Sequence, residues 1–284
     1  MIQRIVTSLC RLSDLSRAAL FFLVVAAAPG CETNPITGRS SFNIVSEDQA
    51  NQMGVEAFQQ ILKEEKVSTD PQANALVEEV GRRIAAVTDR HMKEEGREPF
   101  EWEFKVIDNP ETINAFCLPG GKVAFYTGIL PICKDPNGVA VVMGHEIGHA
   151  YAKHGAGRVS TALLGQLTME AVSVALTSEF SSDTAQLATA ALGAGFAVGV
   201  QLPFSRADEA DADRTGLMLM AEAGYDPREA VAFWQRMQQA TGGSSAPTFL
   251  STHPGTEDRI ADLQDHLPRA LEVHERSKAG GGSN

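Results

Sequence analysis

Two histidines separated by three residues are the clearest candidates for a chemical role in this chain. They bracket the stretch from His145 to His149, within a run whose pattern predicts one helix over Val139 to His154, closed by Gly155. Side chains four residues apart lie on the same helix face, so both imidazoles can reach one metal ion. Glu146 would project beside them toward a metal-bound water. Zinc suits this site because it accepts imidazole nitrogen and carboxylate oxygen and can keep one position for water.

A third ligand has to come from another part of the chain, and Glu209 is the best candidate. It lies near the start of a helix opened by Ser205, and Asp213 follows one turn later on the same face. Asp213 could accept a hydrogen bond from a ligand imidazole and so fix its tautomer. The alternative is a solvated acidic helix start, in which these carboxylates only interact with the helix dipole.

The surrounding pattern places the helix with His145 and His149 after a small sheet. Two amphipathic helices are predicted over 46–66 and 70–92, and three short strands over 101–107, 113–118 and 122–126. Beyond Gly128 every strong pattern is helical, including an uncharged stretch from Leu187 to Val200 that is too short for a membrane span. Early strands followed by helices favour an α+β fold.

The N-terminal region has the features of an export signal. Three arginines precede an apolar run from Ala18 to Ala28, which ends in small residues before Cys31. We therefore expect residues 1–30 to be a signal peptide and Cys31 to be the lipidated first residue of the mature chain. Ordinary cleavage and an uncleaved anchor are the alternatives.

The mature chain is expected to have three parts. Residues 31–45 contain Pro35, Gly38 and short polar side chains, which predicts an extended, lipid-anchored tether. The folded domain would cover 46–276, and the glycine-rich tail over 277–284 is predicted to be disordered.

Charge and cysteine content limit the partners and the compartment. A formal net charge of -12 argues against nucleic acid as a partner, because phosphate backbones would be repelled. In an oxidising compartment Cys117 and Cys133 could form a disulfide. They could equally be two buried free thiols.

At this point the chain resembles the M48 family of zinc metallopeptidases, and specifically its short bacterial cell-envelope lipoproteins. The matching pieces, in chain order, are Cys31 with Asn34-Pro35-Ile36-Thr37-Gly38, Asn114-Ala115-Phe116 with Pro119-Gly120-Gly121, the helix with His145 and His149, the segment from Ser205 to Asp213, and His253-Pro254 with Arg259.

The resemblance implies a role for each residue of the constellation. His145, His149 and Glu209 would bind one Zn²⁺ per chain, Glu146 would be the catalytic base, and Asp213 would support a ligand. The fold would be a predominantly helical zincin-like domain with a small sheet. Its edge strand would flank the zinc, so that Asn114, Ala115 and Phe116 pair with an extended substrate backbone.

Further residues have more open roles. The resemblance places His253 near the metal, where it could stabilise the oxyanion or occupy the fourth zinc position in a resting state. His154 is interpreted as a cation at a helix end. Asp211 replaces a glutamate common in relatives and is expected on the outer helix face, where it should not matter. Cys117 replaces a small residue.

The function that follows is a zinc-dependent endopeptidase of the bacterial cell envelope. It would hydrolyse peptide bonds in unfolded or misfolded envelope proteins through a water activated by Glu146. We expect it to face the periplasm on a lipid anchor, with the outer membrane favoured over the inner. One alternative is a zinc-containing module that binds unfolded proteins without cleavage. Another is a purely structural zinc site, which would require four closed protein ligands.

Overall fold

The computed structural model describes residues 31–162, 204–240, 248–254 and 257–281 of the 284-residue chain. Two sequence predictions lie outside these residues: the signal peptide over 1–30 and the helix over 187–200. None of the helices in the described ranges combines the length and apolarity that a bilayer crossing requires.

Helices make up most of the described chain. They are α1 (Glu47–Glu64), α2 (Pro71–Glu94), α3 (Leu130–Cys133), α4 (Pro136–Tyr151), α5 (154–162), α6 (Arg206–Glu222), α7 (Glu229–Ala240), α8 (Thr248–Thr252) and α9 (Glu257–Gly281). The first two begin where their capping residues predicted. Ser46 and Gln49 form a reciprocal capping box, and the Asp70 side chain accepts the Gln72 backbone N–H.

The strands form two small sheets. They are β1 (Cys31–Thr33), β2 (Ser40–Phe42), β3 (Glu103–Ile107), β4 (Ala115–Leu118) and β5 (Lys122–Tyr126). The main sheet has the order β3-β5-β4, in which β5 pairs parallel to β3 and antiparallel to β4. Strand β4 therefore lies at an edge of this sheet. Together with the helices, the sheet confirms the predicted α+β, mostly helical domain.

Helix α4 runs through the middle of the domain. Every residue from Gly138 to Tyr151 is buried, because the helix packs between α2, α6 and the sheet. Its backbone lies against that of α6: a Cβ added to Gly216 would lie 2.6 Å from the backbone nitrogen of His145. Glycine permits this close approach, which places side chains of α4 and α6 in one buried layer.

The predicted bounds of this central helix differ from the structure at both ends. It begins at Pro136 because the Asp135 side chain accepts the backbone N–H groups of the next turn. It ends at Tyr151 because Lys153 adopts a positive φ of 58°, which α-helical backbone does not. Helix α5 then starts at residue 154, so Gly155 lies inside a helix instead of closing one.

The predicted disordered tail is wrong over its first five residues. Helix α9 continues to Gly281, and the Ser277 hydroxyl lies 3.1 Å from the Ala221 carbonyl oxygen, which can accept its hydrogen. Contact with α6 thus orders a segment that its glycine content alone predicted to be mobile.

The predicted tether is also wrong, because residues 31–42 form a hairpin. Strands β1 and β2 pair antiparallel, with Thr33 opposite Ser40. Between them, Asn34 accepts the Gly38 N–H at 2.7 Å and donates its own N–H to Arg39 at 2.8 Å. Asn34 is buried. Proline and glycine here make a tight turn packed on the domain.

Candidate metal and peptidase site

Four buried side chains from three separate parts of the chain converge beside α4. His145 and His149 come from this helix, Glu209 comes from α6, and His253 follows α8. One candidate ligand atom from each lies within 4.8 Å of all the others. The closest pairs are His145 Nε2 with His149 Nε2 and His145 Nε2 with His253 Nδ1, both at 3.1 Å. Glu209 Oε1 lies 3.1 Å from His253 Nδ1.

The hydrogen-bonding capacity of this cluster fits a metal ion. A neutral imidazole nitrogen has either one hydrogen or one lone pair, so His145 Nε2 cannot form good hydrogen bonds to both neighbouring rings. Within the described residues, Glu209 Oε2 is buried and accepts no well-formed hydrogen bond. Three imidazole nitrogens and a carboxylate oxygen are the donor set that zinc binds.

Asp213 supports His145 directly. Its Oδ1 lies 2.9 Å from His145 Nδ1, the distance of a hydrogen bond from the ring. Arg259 donates to both oxygens of Asp213, at 2.7 Å from Nη2 to Oδ1, and its Nη1 lies 3.0 Å from Glu209 Oε2. The sequence had marked Arg259 only as part of the family pattern. Here it joins the supporting carboxylate to a candidate ligand.

The ion pairs set the direction of several pKa shifts. Burial would raise the pKa of Asp213, but the Arg259 charge and the His145 hydrogen bond lower it overall. Burial likewise opposes ionisation of Glu209, yet its contacts with three histidines hold its pKa well below the usual range. Both carboxylates are therefore anionic, as ligation and imidazole support require.

Glu146 is buried beside the ligand cluster. Its Oε1 is 3.4 Å from His253 Nε2, and among the described residues this oxygen accepts no well-formed hydrogen bond. Burial raises the pKa of Glu146 despite the nearby histidines, which lower it. A carboxylate with a raised pKa can take up a proton and release it again at neutral pH.

The edge strand forms one wall of the pocket that contains these groups. Residues 114–119 line it together with Glu146, His149 and His253. Strand β4 pairs with β5 along one edge. The structure therefore brings the predicted strand close to the predicted ligands, and among the described residues the other edge of β4 pairs with no strand.

Two expectations about neighbouring residues are wrong. Asp211 does not lie on an outer face: it is 3% exposed and accepts hydrogen bonds from Asn34 and Thr37. His154 does not lie at the end of α4 but at the start of α5. It is buried between Asp211 and His149, with Nε2 2.9 Å from Asp211 Oδ2 and Nδ1 3.0 Å from His149 Nδ1. The only sequence signal for this contact was the position of Asp211, two residues after Glu209.

Cys117 and Cys133 are free thiols in the structure and do not form a disulfide with each other. Cys133 is buried in the main apolar core at the end of α3, and Cys117 on β4 is partly buried. Burial raises the pKa of both thiols. Both therefore stay protonated and pack as small apolar side chains.

The fold and this cluster together define a metallopeptidase. Residues 71–267 match the model of Peptidase family M48, and the chain belongs to this family. M48 metallopeptidases are zinc-dependent.

Curated relatives agree with this assignment. The mitochondrial metalloendopeptidase OMA1 of Schizosaccharomyces pombe is 36% identical over 86% of this chain and 68% of its own length. OMA1 of Saccharomyces cerevisiae is 32% identical over 88% of this chain and 73% of its own length. The beta-barrel assembly-enhancing protease of Escherichia coli is 28% identical over 84% of this chain and 48% of its own length. The chain is thus a metalloendopeptidase.

Proposed function

We propose that this chain is a zinc endopeptidase of the bacterial cell envelope that degrades unfolded or misfolded envelope proteins. His145, His149 and Glu209 hold the metal, and Glu146 is the catalytic base. One observation carries the proposal: the ligand atoms of His145, His149 and Glu209 lie within 4.8 Å of one another, and Glu146 and His149 line a pocket together with strand β4, which pairs on one side only among the described residues. Each is needed for peptide hydrolysis, and a site that only stored metal would not need the last two.

The chain's own residues account for the proton transfers. When bound, zinc supplies a Lewis acid that polarises the scissile carbonyl and acidifies water. Glu146 Oε1 takes the proton of the attacking water and later delivers it to the leaving amine. Asp213 holds the His145 ring in the tautomer whose Nε2 lone pair faces the metal site.

Substrate binding follows from the edge strand of the sheet, which pairs on one side only among the described residues. An extended polypeptide can add to β4 as a further strand, through main-chain hydrogen bonds that do not depend on sequence. Asn114, Ala115 and Phe116 line this edge. An unfolded segment is free to adopt this extended form, which supports misfolded polypeptides as the substrate class.

The two ring nitrogens of His253 lie near two different carboxylates, Glu209 and Glu146. Its Nδ1 is 3.1 Å from Glu209 Oε1, and its Nε2 is 3.4 Å from Glu146 Oε1. In this position it gives the metal cluster a fourth protein residue, the number that a structural zinc site would have. We propose that His253 leaves this position when substrate enters, and then faces the developing negative charge.

The envelope location rests on the N-terminal sequence and on bacterial relatives. The arginines, apolar run and small residues before Cys31 are typical of a lipoprotein signal. Relatives include the beta-barrel assembly-enhancing protease of Escherichia coli, although the OMA1 relatives are mitochondrial. The outer membrane is the proposed site of the anchor.

The anchor can be tested by intact mass spectrometry of the protein made in a bacterial host. We expect the N-terminus at Cys31 with the added mass of acyl chains, and none of that mass in the Cys31→Ser variant. An N-terminus at another residue, or an unmodified Cys31, would exclude lipid anchoring at this position.

The catalytic assignment can be tested with Glu146→Gln, which keeps the size of the side chain but cannot take a proton. Zinc content should stay at one ion per chain, because Glu146 is not among the ligands. Cleavage of an unfolded protein should fall by about 100- to 10,000-fold, the range that general base catalysis contributes. Products are identified by mass spectrometry, with and without a chelator.

Glu98→Gln is the matched control, since Glu98 is exposed and lies away from the pocket. It should cleave like the unmodified protein. Undiminished cleavage by the Glu146 variant would exclude Glu146 as the base. If the unmodified, zinc-loaded protein binds unfolded chains without cleaving them, the non-enzymatic alternative is correct.

A further inference from the structure

A second series of buried polar contacts lies behind the ligand cluster, on the side of His149. His149 Nδ1 is 3.0 Å from His154 Nδ1, and His154 Nε2 is 2.9 Å from Asp211 Oδ2. All three side chains are at most 3% exposed. The pair of His154 and Asp211 has no place in the mechanism above, although it contacts a candidate ligand directly.

The order of donors and acceptors in this chain of contacts follows from the carboxylate. A carboxylate only accepts hydrogen bonds, so when the His154 ring has a single hydrogen, that hydrogen lies on Nε2. Its Nδ1 must then accept, and His149 Nδ1 must donate. The lone pair of His149 is left on Nε2, the atom that faces His145 and Glu209. Asp211 thereby selects the metal-binding tautomer of a residue it does not touch.

Two described groups could favour the opposite arrangement: Glu209, whose Oε1 lies 3.3 Å from His149 Nε2 and which the metal would take as a ligand, and Arg39 beside His154. Arg39 Nη1 lies 3.1 Å from His154 Nε2, where it would donate to a lone pair. The carboxylate of Asp211 lies closer to the same atom, and Arg39 also pairs with Asp208 at 2.7 Å. Asp211 therefore decides the tautomer, and Arg39 adds positive charge beside two carboxylates.

The N-terminal hairpin holds Asp211 in position. Asn34 Nδ2 donates to Asp211 Oδ2 at 3.1 Å, and the Thr37 hydroxyl donates to Oδ1. Asn34 Nδ2 also lies 2.9 Å from the hydroxyl of Thr215, one turn further along α6. Each oxygen of a buried carboxylate needs such donors, since burial without them is costly. The turn between β1 and β2 delivers two of them to one side chain.

We propose that His154 and Asp211, held by Asn34 and Thr37, are positioning residues that orient His149 for zinc. The inference rests on the proposed function only in taking His149 as a ligand. On this proposal, the hairpin that begins at Cys31 helps to position a metal ligand. His145 is supported from α9, and His149 is supported from the hairpin of β1 and β2.

The test measures metal binding in the full chain, without any cleavage assay. Zinc affinity is determined by competition with a chromophoric chelator, and the absorption spectrum of the Co²⁺-loaded protein reports ligand geometry. Asp211→Asn should weaken zinc binding by about 10- to 100-fold, the range for lost support behind a ligand histidine. It should also shift the Co²⁺ bands. Asp262→Asn, which removes an acceptor from Arg214 elsewhere, is the matched control.

A milder pair of variants separates positioning from simple stabilisation. Thr37→Val removes the hydroxyl with little change in shape, and Thr37→Ser restores it. We expect Thr37→Val to weaken zinc binding in the same direction as Asp211→Asn but by less, and Thr37→Ser to bind like the unmodified chain. Thermal melts of the metal-free proteins show whether each variant is folded.

Wild-type zinc affinity and an unchanged Co²⁺ spectrum in Asp211→Asn and Thr37→Val would overturn the proposal. The contacts would then only fasten the hairpin to α6, and the melting temperature alone would fall. Failure of the peptidase function is distinguishable, because it would appear as absent cleavage by the unmodified chain whatever the metal affinity of these variants.

Discussion

The two metal-site histidines of α4 are one turn apart but are supported in different ways. His145 hydrogen-bonds directly to a carboxylate, Asp213, which is paired with the guanidinium of Arg259. His149 reaches its carboxylate, Asp211, only through the ring of His154. Both carboxylates belong to α6, two residues apart.

This difference shows how one helix can serve two ligands in different directions. Residues two apart point to different sides of a helix, so α6 can present Asp213 and Asp211 to separate neighbours. On one side the carboxylate is near enough for direct contact. On the other, an extra imidazole spans the gap, and the carboxylate is held by neutral donors in place of a guanidinium. We expect the direct, charged arrangement to contribute more to metal affinity.

The largest effect is therefore expected from Asp213→Asn. It weakens the support of His145 and leaves Arg259 buried without its closest partner, so zinc affinity should fall toward the 100-fold end of the expected range. Asp211→Asn should lose less. The same chelator competition gives both values, and the opposite ranking would show that the relay through His154 matters more than direct contact.

A smaller effect is expected from Gly216→Ala, at the contact that α4 and α6 share. The added methyl group would lie 2.6 Å from the His145 nitrogen and 2.6 Å from the Gly144 oxygen, so the helices must move apart. Overpacking of this kind costs about 1–3 kcal/mol in the free energy of unfolding, measured by denaturant titration. Both supports should weaken together, because both depend on how α6 lies against α4.

Gly155→Ala serves as the comparison for that variant. Its added methyl group would meet only Pro119, at 3.9 Å, and the residue lies in helix α5. Alanine is the better helix former, so unfolding should be unchanged or slightly harder. Equal stability of the two variants would mean that the α4 and α6 backbones have more room than their contact indicates.

Local patterns predicted the parts of the site that lie close together in sequence. The spacing of His145 and His149 fixes their relation on one helix, and Ser46 and Asp70 set the starts of α1 and α2 through contacts within a few residues. The mostly helical α+β fold was also predicted correctly, because helix and strand patterns are local in the sequence. The roles of Glu209 and Glu146 remain predictions that the geometry supports.

The parts that sequence missed depend on contacts between distant residues. Asp211 lies on an inner face only because the hairpin covers it, through a hydrogen bond to Asn34 across 177 positions of the chain. Proline and glycine in that hairpin indicate a turn, but composition does not reveal that the turn packs on α6. His154 was placed at a helix end because the positive φ of Lys153 was not evident from its sequence.

The two supports come from distant parts of the chain, which bears on when the metal site becomes complete. A polypeptide is made from its N-terminus, so Asn34 and Thr37 are present long before the residue that pairs with Asp213. Arg259 is added 222 residues after Thr37. A nascent chain that has not reached Arg259 therefore lacks part of its metal support. Synthesis itself delays the assembly of a peptidase that could otherwise attack its unfolded neighbours and its own nascent chain.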